Sequence, residues 1–256
     1  MDLDPERQWK VEISETLVGR RAGGSAAEKA IGYRLAHPLR TRVDRLLRRR
    51  TDERAWRRGA NGERFTGWLL GRLPAGWHTF HDIPVGDRGA NIDHLVIGPG
   101  GVFTVNAKNL SGDIRVTRRS IVHNGRVTDF LPKAAAEARR ASALLSAAAG
   151  FTVGVRPVLA ILVDVWTITE RPDDIYVGAP FQARRWILGQ PSVLGPRDVI
   201  LAAAAAAKPE TWTRPPDSNR CTCGGEWIKR ERRRDGVAFY GCSRFPACRR
   251  TRLLTI

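Results

Sequence analysis

The sequence of 256 residues can build one mixed core of about 150 residues and a smaller second unit, but it contains no apolar run of the roughly 18 residues that cross a membrane. Lysine and arginine number 43 against 26 acidic residues, which gives a formal charge of +17 and a sequence pI near 11.1. This excess favours a nucleic-acid partner, because arginine binds phosphate through paired hydrogen bonds; a well-solvated surface and an anionic membrane surface are the alternatives.

The first 58 residues are rich in charge and predict a basic helical region. A capping-box pattern at Ser25 and Glu28 predicts a helix that extends to Leu35. Ten arginines then lie between Arg34 and Arg58, among only three acidic residues. This segment either contacts phosphate directly or forms a solvated surface packed on the neighbouring domain, because a run of charge does not distinguish the two.

The next predicted helix, over residues 62–73, carries a candidate acidic residue. Asn61 is suited to cap its first turn, and Glu63 lies at the edge of its apolar stripe. From that edge the carboxylate can project toward the strands that follow, although the helix dipole alone also explains a glutamate in a first turn. A strand is predicted from Trp77 to Val85.

A β-hairpin is predicted over residues 91–109, where two runs rich in β-branched residues flank a Gly-Pro-Gly-Gly turn. If those four residues form the loop, the numbers of paired residues sum to 199, so Asp93 lies opposite Asn106 and diagonal to Lys108. The remaining positions are apolar enough for strands covered on both sides. We therefore predict that an acid, an amide and an amine converge on one face of a buried hairpin.

This combination of side chains is typical of phosphodiester chemistry. A carboxylate and a second oxygen ligand can hold Mg²⁺, which keeps several waters and suits phosphate substrates. A lysine beside the ion can orient a water or stabilise the charge that develops on the phosphate.

The same stretch resembles the nuclease-related domain (NERD) family, which is similar to the PD-(D/E)XK nucleases and the Holliday-junction resolvases. The likeness is clearest over residues 59–116 and extends more weakly to about 165. It is carried by these segments: Asn61-Gly62-Glu63, Ile92-Asp93-His94, Gly101-Val102-Phe103 and Asn106-Ala107-Lys108-Asn109.

The resemblance implies an α/β fold, a restriction-endonuclease-like core with a mixed sheet and flanking helices, and DNA cleavage that depends on Mg²⁺ or Mn²⁺. It maps the helix carboxylate onto Glu63, the central aspartate onto Asp93 and the lysine onto Lys108, with the carbonyl of Ala107 as a further metal ligand. The acidic residue of the family's E-x-K motif is replaced by Asn106, which keeps an oxygen ligand but loses a charge. A non-catalytic DNA-binding protein is therefore the alternative, and an RNA-binding factor is a third. Domains of this type often act in pairs, so a homodimer is possible.

Two short strands over residues 113–127 and an alanine-rich helix from Pro132 to Ala149 are predicted next. Arg115 and Lys133 are placed to touch a phosphate backbone, with a solvated rim as the alternative for the arginine.

An apolar run over residues 153–165 then predicts a central strand and completes a β-β-β-α-β arrangement. A strand near residues 175–177 and a helix over 196–207 end a domain that we assign to residues 59–207. Residues 208–220 are rich in proline and lack periodicity, which predicts a linker.

All four cysteines lie in the last predicted unit, residues 221–256, as a Cys-x-Cys pair at Cys221 and Cys223 and a second pair at Cys242 and Cys248. Four thiolates at the ends of a short ribbon suit tetrahedral zinc, whose binding can fold so small a segment. Cysteines confined in this way favour a local metal site over a disulfide framework, and with the lack of a secretory signal they predict a cytoplasmic protein.

The second half of this unit resembles the topoisomerase-type four-cysteine zinc finger, which binds single-stranded DNA. The first pair departs from the usual two-residue spacing, which tightens that turn. Arginines interleaved with aromatic side chains supply charge and stacking surfaces for a single strand, and a purely structural finger is the alternative. The candidate contacts are Arg230, Arg233, Phe239, Tyr240, Arg244 and Phe245.

Overall fold

The computed structural model describes residues 17–37, 52–86, 90–212, 221, 223–232 and 238–253. The chain divides into two compact units, Met1–Thr213 and Arg214–Ile256. The larger unit contains, in chain order, α1 (Gly24–Ala36), α2 (Asp52–Leu70), β1 (His78–Val85), β2 (Ala90–Gly98), β3 (Gly101–Asn109), β4 (Asp113–Val116), β5 (Ile121–His123), β6 (Arg126–Val127), α3 (Phe130–Ala149), β7 (Val155–Leu162), β8 (Val165–Ile168), β9 (Tyr176–Gly178), α4 (Pro180–Leu188), α5 (Pro196–Ala207) and α6 (Pro209–Trp212).

The central sheet has five strands in the order β1-β2-β3-β7-β9. Strands β1, β2 and β3 are antiparallel, whereas β3, β7 and β9 are parallel, so the sheet is mixed. A smaller sheet, in the order β6-β5-β4-β8, lies in the same unit. The predicted α/β class with a mixed sheet and flanking helices is confirmed.

Strands β2 and β3 form the predicted hairpin in the predicted register, in which every paired residue number sums to 199, from Gly98 with Gly101 to His94 with Val105. The turn requires glycine for two reasons. Gly101 has φ +117°, and a Cβ on Gly98 would lie 2.3 Å from the Trp77 ring. The backbone ladder ends at His94 and Val105, one pair before Asp93 and Asn106.

Helices cover both faces of the central sheet. On one face, α3 and α5 pack through Leu145 and Val199 against β2 residues such as Leu95. On the other face, α2 and α4 pack through Leu70 and Ile187 in a second buried cluster. Because both faces are covered, the strands carry almost continuous apolar sequence, and the polar residues near their ends stand out.

Helix α2 differs from its predicted extent, because it begins at Asp52 rather than Gly62. Asn61 therefore lies inside the helix and does not cap it. The earlier turns are held by tertiary packing: a Cβ on Gly23 would lie 2.7 Å from the carbonyl oxygen of Ala60. The helix spans the predicted domain boundary at residue 58, and residues 38–51 of the predicted basic arm lie outside the described part of the chain.

The start of α1 also differs from the sequence expectation. Its N-cap is Gly23, in the left-handed conformation, and no side chain caps it. The hydroxyl of Ser25 donates instead to the Asp82 carboxylate at 2.7 Å. A contact that is distant in sequence has replaced the predicted capping box.

The beginning of the predicted linker is ordered as α6 and packs with the larger unit. Trp212 is buried, and its indole nitrogen donates to the Ala206 carbonyl at 2.9 Å. The proline-rich composition of this segment did not reveal that packing. Residues 213–220 lie outside the described residues.

The smaller unit is a three-stranded antiparallel sheet of β10 (Trp227–Glu231), β11 (Ala238–Cys242) and β12 (Thr251–Leu253). Cys221 and Cys223 precede β10, Cys242 is the last residue of β11, and Cys248 lies in the turn that follows it. The sequence pattern predicts two strands between the cysteine pairs, which correspond to β10 and β11; it did not predict β12. The small cysteine module itself is confirmed.

Candidate functional site

Asp93 lies where β2 and β3 stop pairing through their backbones. Its Oδ2 accepts a hydrogen bond from the Ala107 backbone N–H at 2.9 Å, so the carboxylate takes the place of a strand acceptor. Burial raises the pKa of Asp93, the Lys108 ammonium and the Ala107 N–H lower it, and Asp82 raises it further. The acid is therefore fixed by the sheet and held in an environment that disfavours its charge.

Lys108 acts electrostatically on this carboxylate and lowers its pKa. Its Nζ donates to the Ala107 carbonyl at 3.3 Å and lies 5.9 Å from the centre of the Phe130 ring on α3. Ala107 thus donates through its N–H to Asp93 and accepts through its C=O from Lys108. This arrangement ties an acidic and a basic side chain to the backbone of one residue.

Glu63 approaches from α2, on the opposite side of the sheet from α3. A Cβ on Gly62 would lie 2.7 Å from the Asn109 Cβ, so the helix touches the end of β3 directly. The pKa of Glu63 is raised to about 7 by burial, then by Asp93 and Asp82, while Lys108 and the Gly23 N–H lower it. Glu63 is therefore within electrostatic reach of both predicted partners.

The fold brings Asn106 next to Glu137 of α3, a residue that the sequence analysis did not identify. The Oδ1 of Asn106 and the Oε1 of Glu137 are both shielded from solvent and accept no hydrogen bond. Burial raises the pKa of Glu137 to about 8, Asp93 raises it as well, and Lys108 and a hydrogen bond with Asn106 lower it. The signal was present in the sequence as a glutamate within an apolar helical stripe.

Asp82 is the fourth acid near the site, but its oxygens are already occupied. They accept from the backbone N–H of Ser25 at 3.0 Å, from Asn91 Nδ2 at 2.6 Å and from the Arg20 guanidinium at 3.2 Å. Its backbone has φ +51° at the point where β1 and β2 lose their regular pairing. Asp82 anchors the start of α1 to the sheet.

Two histidines next to the acids bond to each other. The Nδ1 atoms of His81 and His94 lie 2.8 Å apart, so one ring donates to the other. Burial lowers the pKa of both, and for His94 the neighbouring His81 lowers it further. This pair is a neutral packing element beside the site.

A pocket of about 370 Å³ opens at the end of β3, lined by Arg57, Arg58, Asn61 and Asn109. Asn109 Nδ2 donates to the Arg58 carbonyl at 3.0 Å, which fixes the amide in the pocket wall. Two guanidinium groups and two amides suit an anion such as phosphate. The sequence analysis named Asn61 as a helix cap and as part of the family motif, but not as a pocket residue.

The two basic residues predicted to touch DNA outside the hairpin are both on the surface. Arg115 is exposed on β4. Lys133 is exposed on α3 and forms an ion pair with Asp129 at 2.6 Å. Their contact with nucleic acid stays a prediction.

The cysteine module has the geometry of a zinc site. The four sulfur atoms lie within 4.8 Å of one another, with 3.8 Å between Cys221 and Cys248 and 3.3 Å between Cys223 and Cys242. Tetrahedral zinc with bonds of about 2.3 Å places its sulfurs about 3.8 Å apart. A Cβ on Gly225 would lie 2.8 Å from the Cys242 sulfur, so this turn requires glycine. The residues present therefore fit a structural zinc ion.

The aromatic and basic residues of this unit that were predicted to contact nucleic acid differ in exposure and in their contacts. Phe245 is 57% exposed, and the Arg230 guanidinium lies 5.7 Å from its ring centre. Arg244 donates to the Cys223 carbonyl at 2.7 Å, so it also braces the metal turn. Phe239 and Tyr240 are partly buried, and Arg233 lies outside the described residues.

The acidic side chains of the larger unit do not gather as closely as the cysteines. Among the described residues, the cysteines are the one group of three or more metal-ligating side chains (Cys, His, Asp, Glu) within 4.8 Å of one another. Lys108 acts electrostatically on Glu63, Asp93 and Glu137, but the oxygens of these three carboxylates do not all lie within 4.8 Å of one another. Binding of a cation here would bring these carboxylates closer together and would also use amide or carbonyl oxygens.

Comparison with known families gave a match within the larger unit. Residues 58–162 match the family described as the nuclease-related domain, NERD. The matched range contains Glu63, Asp93, Asn106, Lys108 and Glu137. A search of curated proteins and a search of solved structures gave no match. The predicted family is confirmed, and it supports a function related to nucleic acid.

None of the helices in the described ranges is both long and apolar enough to cross a membrane.

The zinc assignment predicts one tightly bound zinc ion per chain. Cys242→Ser should abolish zinc binding and unfold the smaller unit, because the metal supplies much of its folding energy. Elemental analysis and Trp227 fluorescence before and after chelation measure both effects. Ser243→Ala should retain the ion, since it leaves the thiolates in place. A zinc-free protein with oxidised cysteine pairs would contradict the assignment.

The raised pKa of Glu63 predicts that the metal-free protein becomes less stable as pH rises from about 4.5 to 7. Over that window the folded state keeps a proton that the unfolded state releases, so stability falls with pH. In EDTA, Glu63→Gln should raise the free energy of unfolding at pH 8 by at most about 3 kcal/mol and have little effect near pH 4.

Urea unfolding of both proteins at the two pH values tests this expectation. Glu170→Gln, which changes an exposed glutamate on the same unit, is the matched control and should show no pH-dependent difference. An equal stability change in Glu63→Gln at both pH values would mean that the carboxylate is not destabilised by its surroundings.

Proposed function

We propose that the larger unit hydrolyses phosphodiester bonds in DNA with the help of Mg²⁺ or Mn²⁺. The observation that carries this proposal is the Asp93 carboxylate, fixed by the Ala107 N–H beside Lys108 inside a nuclease-related domain. A carboxylate of raised pKa next to a lysine, at the end of paired strands, is an arrangement suited to catalysis.

The residues present fit a divalent cation. Asn106 has a buried Oδ1 without a donor, which a cation would satisfy. The raised pKa values of Asp93 and Glu63 reflect charges that a cation would stabilise. Glu63, Asp93, Asn106 and the Ala107 carbonyl are the proposed ligands. A bound ion would polarise the scissile phosphate and lower the pKa of a water.

The chain's own side chains have separate tasks in this proposal. Asp93 is held in place by the backbone, so it needs no reorganisation when substrate arrives. Lys108 orients the attacking water and stabilises negative charge on the phosphate. Its Nζ is already tethered at the carbonyl of Ala107, the residue whose N–H binds Asp93.

Binding of the substrate rests on the distribution of basic residues. The formal charge of +17 provides a sequence-independent attraction to the DNA backbone. The pocket at Arg57 and Arg58 lies at the end of the strand that carries Lys108, and is suited to a phosphate. The smaller unit adds an exposed Phe245 beside Arg230, which is suited to stacking on an unpaired base.

A non-catalytic DNA-binding protein is the second candidate, and Asn106 favours it. An amide in place of an acid removes one negative charge from the proposed ligand set and weakens metal binding. In that case the protein binds DNA with the same basic surfaces but does not cut it.

Cleavage assays distinguish these two functions. Plasmid and single-stranded DNA incubated with Mg²⁺ or Mn²⁺ should be cut, and EDTA should stop the reaction. Asp93→Asn and Lys108→Met should each slow cutting by roughly 10²- to 10³-fold, because each removes a group that acts on the reacting phosphate.

Asp173→Asn is the control, since Asp173 is exposed and paired only with Arg118 among the described residues. Cutting that persists in both site variants would rule out this site. Tight binding with no cutting by the wild-type protein would establish the second candidate.

Binding of single-stranded DNA tests the role of the smaller unit. Phe245→Ala should weaken binding by about 1 to 3 kcal/mol, because it removes a stacking surface. Fluorescence anisotropy with a labelled oligonucleotide measures the change. Val127→Ala, which alters an exposed apolar residue of the larger unit, should leave affinity unchanged. Equal affinity in both variants would assign the ribbon a structural role.

A further inference from the structure

Glu137 occupies a position on α3 that should be apolar. The buried residues of this helix are Leu131, Ala134, Ala138, Ala141 and Leu145. Glu137 lies three residues after Ala134 and four before Ala141, so it falls on the same inward stripe. A carboxylate directed into a covered face costs free energy unless a partner compensates it.

The nearest polar group does not supply that compensation completely. Asn106 lies opposite on β3, and one oxygen of each side chain is buried without a donor. Two unsatisfied acceptors facing the same interior leave room for a group that attracts both, which is a proton or a cation. Lys108 and Asp93 also act on Glu137, so this interior is continuous with the site around Asp93.

We propose that Glu137 supplies, from α3, the negative charge that Asn106 does not, and that it binds the divalent cation at the Asp93 site together with the neutral oxygen of Asn106. This inference rests on the proposed metal-dependent function. The acidic ligand then lies on α3 instead of β3, so the site keeps its negative charge.

The electrostatics of the site also predict how the charges at positions 106 and 137 depend on each other. Glu63, Asp93 and Glu137 are three acids around one lysine, and an acid at position 106 as well would add a fourth in a poorly solvated interior. Negative charge at positions 106 and 137 should therefore be mutually exclusive. The two positions are expected to be strongly non-additive when both are changed.

Mn²⁺ binding to the full-length, zinc-loaded protein tests whether Glu137 compensates for the missing acid at position 106. The measurement does not depend on catalytic activity. Electron paramagnetic resonance titrations compare wild type, Glu137→Gln, Asn106→Glu and the double variant Asn106→Glu/Glu137→Gln. Glu137→Gln should weaken Mn²⁺ binding by roughly 10- to 100-fold. The double variant should return to within about threefold of wild type, while Asn106→Glu alone should gain little.

Two controls separate loss of a ligand from loss of structure. Asp93→Asn identifies the part of the Mn²⁺ signal that belongs to this site, and Glu170→Gln changes an exposed acid on the same unit. Glu137→Gln has the same shape as glutamate and removes a buried charge, so its thermal stability should not fall. Rescue by the double variant is a second readout that a structural role would not produce.

Unchanged Mn²⁺ affinity in Glu137→Gln, or a double variant that binds no better than that single variant, would overturn the inference. Cutting that is lost in Asp93→Asn but normal in Glu137→Gln would overturn it and leave the proposed function intact. A wild-type protein that never cuts DNA, but whose Mn²⁺ affinity follows the predicted order, would support the inference and refute the nuclease. Absence of Mn²⁺ binding in the wild type would refute both.

Discussion

The hydrogen bond between the Asp93 carboxylate and the Ala107 N–H is the interaction on which the site depends. It forms at the point where the β2–β3 ladder ends, so a side chain satisfies a backbone donor that a strand would otherwise pair. The aspartate is consequently part of the sheet and not a freely rotating surface acid. Every other candidate residue is positioned relative to this fixed carboxylate.

The mixed sheet allows helices from both faces to reach that point. Helix α2 brings Glu63 to the end of β3 through the close contact of Gly62 with Asn109, and α3 brings Glu137 from the other face. Lys108 then lies among three carboxylates whose pKa values are all raised, chiefly by burial. Such a concentration of poorly solvated acids destabilises the metal-free fold locally, which is typical of a functional site.

The two units differ in how closely they bring their metal-ligating side chains together. In the smaller unit, four sulfur atoms lie within 4.8 Å of one another, close enough for one metal ion to bind them all. In the larger unit, packing supplies the stability, and the acids stay further apart around a lysine. The chain thus combines a region that matches the nuclease-related domain with a separate four-cysteine module.

The sequence by itself determined the features that depend on neighbours along the chain. The Gly-Pro-Gly-Gly turn and the two-residue period of strands set the hairpin register, and the spacing of the cysteines set the zinc module. Predictions from local patterns were wrong where contacts between distant parts of the chain determine the structure. Asn61 does not cap α2, and Ser25 donates a hydrogen bond to Asp82 instead of capping α1. Only the tertiary structure decided that Glu137 faces Asn106, because a helix can be packed on a sheet in several ways that leave its apolar stripe buried.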